Sequence, residues 1–165
     1  MEQRAKDTSA RQRSHDLSVS KAPSNLRSIP INSLDEKPLQ RLGSGFKELD
    51  RVLGSGLVPG SLVLVGGDPG IGKSTLLLQS ANAMSCERSI LYVSAEESAQ
   101  QVKLRWSRMN GADSKMHLLS ETDLELVLRE LEALRPEVAI IDSIQALNDS
   151  ELSSAPGSVA QVREC

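Results

Sequence analysis

From residue 41 onward, short apolar runs alternate with segments whose apolar residues recur every three or four positions. That alternation is the signature of successive βαβ units, and it predicts an α/β fold with a mostly parallel sheet flanked by helices. Positions 61–65 and 89–93 read as buried strands, and 137–141 as a further major strand finishing in Asp142. Between them, 46–53 reads as a short helix closed by Gly54 and Gly56, and a second helix opens at Lys73 and carries Leu76, Leu77, Gln79, Ala81 and Met84. Ser94 and Glu97 have capping-box spacing ahead of a helix whose apolar positions are Val102, Trp106 and Met109. Thr122 and Glu125 repeat that spacing before a helix with Leu124, Val127, Leu128, Leu131 and Leu134 on one face, ended by Pro136.

Residues 1–40 lack this pattern. They are rich in Ser, Lys, Arg, Gln and Pro, with too little apolar surface to offset the entropy of ordering, and are expected to form a flexible tail; 41–165 then form the domain. The whole chain, 165 residues with 39% hydrophobic and 25% charged side chains, has the composition of one soluble domain. Its longest apolar runs, 62–65 and 138–141, are four residues each, too short for a membrane span. No apolar stretch follows the N-terminal charges as in a secretory signal, so the cytoplasm is the expected location. Cys86 and Cys165 stand far apart without metal-ligand spacing and read as ordinary thiols. A net charge of −3 supplies no overall basic field for duplex binding, although a local patch is compatible with it.

The chemistry concentrates at Gly67, Asp68, Pro69, Gly70, Ile71, Gly72, Lys73 and Ser74, which match the phosphate-binding pattern Gly-x4-Gly-Lys-Ser. Glycines let backbone N–H groups turn inward around phosphates, and the helix that follows adds the positive end of its dipole. Lys73 is expected to reach the β- and γ-phosphates of ATP, with Ser74 Oγ on Mg²⁺ and Thr75 as a second, weaker hydroxyl. Such a site needs an acid at the end of another strand, and Asp142 has that position; the competing reading for Asp142 is a helix N-cap. Hydrolysis needs a group that activates water. Glu96, just beyond the strand at 89–93, is the candidate, against the alternative of a solvated first-turn acid; Glu97 fits a cap better.

Five stretches carry a family resemblance: Leu-Gly-Ser-Gly-Phe-Lys-Glu-Leu-Asp-Arg-Val-Leu-Gly (42–54), Gly-Gly-Asp-Pro-Gly-Ile-Gly-Lys-Ser-Thr-Leu-Leu-Leu-Gln (66–79), Tyr-Val-Ser-Ala-Glu-Glu-Ser (92–98), Ile-Asp-Ser-Ile-Gln (141–145) and Ser-Ala-Pro-Gly-Ser-Val-Ala-Gln-Val-Arg-Glu-Cys (154–165). Over 41–165 the chain resembles the bacterial RadA (Sms) family. The resemblance implies a RecA-like P-loop ATPase of recombinational DNA repair, binding single-stranded or branched DNA as a homo-hexamer and driving branch migration. It also implies that Glu96 activates water, while Ala95 replaces the glycine usual at its position. A KaiC-like regulatory ATPase, or a nucleotide-binding module without turnover, would share the loop, the paired glutamates and the strand ending in Asp142.

Besides Ala95, the chain departs from the family pattern in its N-terminal and C-terminal parts, and its aromatic content bears on the DNA binding that the resemblance implies. Residues 1–40 hold no cysteine, so the family's four-cysteine zinc motif is not expected to carry over. Of the aromatics Phe46, Tyr92 and Trp106, two lie in core patterns, so no base-stacking platform is visible; Arg163 reads either as a DNA-backbone contact or as an exposed helix arginine. Finally, the family continues past the last residue here into the rest of its RecA-like core and a Lon-protease-like domain. In RecA-like folds the strand between the loop strand and the Asp-bearing strand comes from that later chain. The core is therefore expected to be incomplete at its C-terminus, with 62–65 and 138–141 facing a gap, low stability and little ATPase activity.

Overall fold

A computed structural model describes residues 28–34, 40–109, 114–149 and 158–159. The chain divides into two units, Met1–Pro38 and Leu39–Cys165. In the first, the described residues make one 3₁₀ turn, Ile31–Ser33. In the second, the helices are α1 (Lys47–Val52), α2 (Lys73–Met84), α3 (Ala99–Ser107) and α4 (Leu124–Leu134), and the strands are β1 (Ile90–Ser94), β2 (Met116–Leu119) and β3 (Val138–Asp142).

All three strands are parallel, in the order β2-β1-β3. β1 is central because its run of apolar residues suits burial on both faces: all five positions are buried. Ile90 and Tyr92 point to one face, where Leu78, Ala81 and Met84 of α2 and Val102 of α3 close a core with Ile140. Leu91 and Val93 point to the other, against Val127 and Leu147, with Leu124, Leu131 and Leu134 of α4 packed around them. Helices therefore cover both sides of the sheet, as expected for an α/β fold.

The segment 61–65 departs from expectation. It belongs to no strand, and Leu62, Val63 and Leu64 are 97%, 41% and 84% exposed. Its apolar run has strand character, but a strand needs a ladder partner, and β3 pairs with β1 on one side only among the described residues. β2 was missed in the sequence; it has only four residues, with the polar His117 exposed among them.

Two caps also sit elsewhere than their spacing suggests. Ser94 closes β1, so the N-cap of α3 is Ser98, in a reciprocal box with Gln101. Ser94 Oγ instead donates to the Glu97 carbonyl at 2.8 Å, stabilising the turn between strand and helix. The cap of α4 is Asp123, not Thr122, and its carboxylate accepts from the Glu125 amide at 2.9 Å. Leu128 is half exposed and contributes little to the α4 face, whereas Trp106 and Met109 of the α3 segment pack on the core as their spacing predicts.

Ahead of the loop, Leu42 and Leu57 form an antiparallel bridge with both bonds at 2.8 Å. Gly56 allows this closure: its φ is +117°, and a Cβ there would lie 2.6 Å from the Leu42 carbonyl oxygen. Gly56→Ala is expected to destabilise the domain by about 1–3 kcal/mol, read as a lower thermal midpoint.

Candidate functional site

The glycine loop enters α2 through Gly72, whose φ of +106° is a left-handed conformation that only glycine adopts cheaply; Gly70, at +79°, is similar. The first-turn amides of Lys73, Ser74 and Thr75 find no acceptor among the described residues, leaving donors and a helix dipole aimed outward. Lys73 folds back over the loop, its Nζ donating to the carbonyls of Gly67 at 2.7 Å and Asp68 at 3.0 Å. A cation is thereby held above a row of N–H donors, which is an anion-binding arrangement.

The parallel register of β1 and β3 sets their C-terminal ends side by side: Ser94 pairs with Asp142, and the Ala95 amide donates to the Asp142 carbonyl at 2.8 Å. Glu96 and Asp142 therefore emerge together at the end of the sheet where α/β proteins bind ligands. Asp142 Oδ1 accepts from Ser74 Oγ at 3.0 Å, joining residues 68 positions apart in the chain. Its Oδ2 accepts from the Tyr92 hydroxyl at 2.7 Å. Burial, and then this bond to a carboxylate, push the Tyr92 phenol above its usual range, so it stays protonated as a donor. Glu96 is exposed and accepts a close hydrogen bond from Ser143 Oγ.

Glu97 makes a different set of contacts. It forms a 2.5 Å ion pair with Arg105 of α3, and a second guanidinium nitrogen of Arg105 donates to the Ser74 carbonyl at 3.0 Å. Arg105 therefore ties α3 to the first turn of α2, while Glu97 Oε2 stays buried without a partner among the described residues. This role replaces the capping role suggested by spacing.

The structure thus brings Ser74, Glu96 and Asp142 together beside Lys73. Asp68, Pro69, Ile71 and Thr75 lie exposed on the loop and first turn. Tyr92, Ser143 and Arg105 are additions that sequence spacing missed. Only Ser143 carried a signal, as the residue directly after Asp142. Cys165, Arg163 and nearly all of the 154–165 stretch lie outside the described residues, as does most of 1–40. Trp106 has Lys103 Nζ 3.9 Å above its ring and packs on the core. Among the described residues no helix is long and apolar enough to cross a membrane.

A hydroxyl and a carboxylate within hydrogen-bond distance, next to a lysine and orphan amides, are oxygen donors suited to a hard divalent cation and a phosphate chain. Residues 42–163 match the family model described as the DnaB-like helicase C terminal domain. The chain is 57% identical over 155 residues to the DNA repair protein RadA of Synechocystis sp., covering 83% of this chain and 31% of that protein. It is 46% identical over 160 residues to the DNA repair protein RadA of Bacillus subtilis, covering 89% and 35%. The RadA of Halalkalibacterium halodurans matches at 51% over 137 residues, covering 82% and 30%. The chain thus spans about a third of the length of these relatives. With its parallel sheet between helices and its phosphate loop leading into α2, the chain belongs to the DnaB-like helicase C-terminal domain family, a RecA-like fold, and groups there with RadA.

Proposed function

We propose that this chain provides the nucleotide half of a RadA-type DNA-repair ATPase, with ATP and Mg²⁺ as its cofactors. The observation that carries the reading is the meeting of Ser74 with Asp142 beside the α2 N-terminus, with Glu96 on the adjoining strand end. Ser74 and Asp142 would hold the metal, and Gly67, Asp68, Pro69, Gly70, Ile71, Gly72 and Thr75 would shape the loop around the phosphates. Lys73 leaves the loop carbonyls and pairs with the β- and γ-phosphate oxygens, while Glu96 takes a proton from the attacking water. Bound Mg²⁺ supplies neutralisation of charge developing on the phosphoryl oxygens.

The likeness to RadA supports single-stranded or branched DNA as the substrate, a homo-hexamer as the assembly, branch migration as the outcome and the cytoplasm as the location. One observation favours a second reading, in which nucleotide binds with reduced turnover. Leu62 and Leu64, at the entry to the loop, are exposed and unpaired, so the sheet does not anchor the loop from that side. Zinc has no place in either reading.

Titration with a fluorescent ATP analogue tests the site. Charge-assisted bonds to phosphate are worth about 1.5–3 kcal/mol, so Lys73→Ala is expected to weaken Mg²⁺-dependent binding by about 10- to 100-fold. Equal affinity in the variant would dismiss the reading. Stimulation of hydrolysis by single-stranded DNA separates a RadA-type enzyme from a KaiC-like regulatory ATPase. Binding with background turnover, with and without DNA, supports the non-catalytic module.

A further inference from the structure

We infer that Tyr92 is a positioning residue for the metal-holding carboxylate, its phenol fixing Asp142 so that the second carboxylate oxygen faces Ser74; this rests on the nucleotide reading above. Tyr92 is 1% exposed, and its ring is part of the core formed by Leu78, Ile90 and Ile140. In the parallel register Tyr92 pairs with Ile140, and Asp142 lies two residues further along β3. Side chains two apart on a strand share a face, so Tyr92 and Asp142 both point toward α2, the helix that carries Ser74.

The two carboxylate oxygens are divided between donors of different kinds. Oδ2 accepts from a phenol anchored in the core at 2.7 Å, and Oδ1 from a hydroxyl on the first turn of the loop helix at 3.0 Å. A buried phenol usually finds an acceptor, and a neighbouring backbone carbonyl would satisfy it as well. Here the acceptor is the acid that also accepts from Ser74 on the loop helix. The rigid partner therefore sets the plane of the carboxylate, and Oδ1, bonded to the loop helix, is the oxygen that would exchange Ser74 for a metal or its water. Hydrogen-bonded partners of this kind orient metal-binding carboxylates and typically contribute 10- to 100-fold to metal affinity.

Tyr92→Phe keeps the ring and removes only the hydroxyl. In the 165-residue chain, binding of a fluorescent ADP analogue is titrated with Mg²⁺, and Mn²⁺ binding is followed by electron paramagnetic resonance. The Mg²⁺ and Mn²⁺ midpoints are expected to rise about tenfold or more, while analogue affinity in EDTA stays unchanged. Should the variant fail to fold, a second measurement uses the fact that Tyr92 is the only tyrosine. Uniform incorporation of 3-fluorotyrosine then gives one fluorine resonance, expected to shift with Mg²⁺ and ADP together and to stay in place with ADP and EDTA. Unchanged midpoints in the variant, or an unmoved resonance while the parent chain responds to Mg²⁺, would overturn the inference alone. A parent chain whose nucleotide binding ignores Mg²⁺ would overturn both this inference and the nucleotide reading.

Discussion

Glu96→Gln is expected to lower ATP turnover by about 10²- to 10⁴-fold and to leave nucleotide affinity within about twofold, the range that applies when a general base is removed and the binding groups stay. Glutamine keeps the size of Glu96 and can still accept the bond from Ser143, but it cannot take a proton from water. The loop, Lys73, Ser74 and Asp142 are untouched, so phosphate binding is preserved. Single-turnover assays with radiolabelled ATP and excess protein resolve even slow hydrolysis. A variant retaining more than about a tenth of the parent rate would assign Glu96 to solvent rather than to catalysis.

Leu78→Ala is expected to cost about 2–5 kcal/mol, the usual range for truncating a buried leucine. For a domain of this size that lowers the thermal midpoint by roughly 10 °C. Leu78 is fully buried on the face of α2 that meets Ile90, Tyr92 and Ile140. A loop helix is usually held to its sheet from two sides, by its own apolar face and by the strand that feeds the loop. Here the feeding segment joins no ladder, so the α2 face carries the attachment, with the Ser74–Asp142 bond to β3 as an accessory tie. Loss of Leu78 is therefore expected to weaken nucleotide binding as well as stability. Calorimetry with and without Mg²⁺ and ADP separates these effects, and a midpoint within about 2 °C of the parent would show that the attachment lies elsewhere.

The features legible in the sequence were those whose causes are local. Lys73 to Met84 was readable because a glycine loop, an apolar face and a run of good helix formers coincide there. β1 and β3 were readable within one residue from their apolar runs, and Asp142 from its place at the end of one of them. The caps were ambiguous because Ser94 and Ser98 both stand three residues ahead of a Glu or Gln, and only the end point of β1 decides between them.

The segment 62–65 shows the opposite case. Its composition favours a strand as strongly as 138–141 does, but pairing depends on a partner elsewhere, which local pattern does not encode. The contact between Tyr92 and Asp142 was hidden for the same reason. It joins residues 50 apart, and it follows from the β1–β3 register rather than from either residue's neighbours. A tyrosine in a buried apolar run reads as core, and Tyr92 is core; its second role depends on where its hydroxyl ends.

The outer edge of β3 also affects how the chain behaves in concentrated solution. Among the described residues, Val138, Ala139, Ile140 and Ile141 form that edge with no further strand beside them and without the lysine or proline with which proteins commonly protect exposed strands. The exposed Leu62 and Leu64 add unprotected apolar surface. Such a row of amide and carbonyl groups is a template on which another copy can add a strand. Colloidal behaviour is thereby linked to fold completeness: a polypeptide that fills the edge removes the template, and dilution reduces encounters between copies that leave it open.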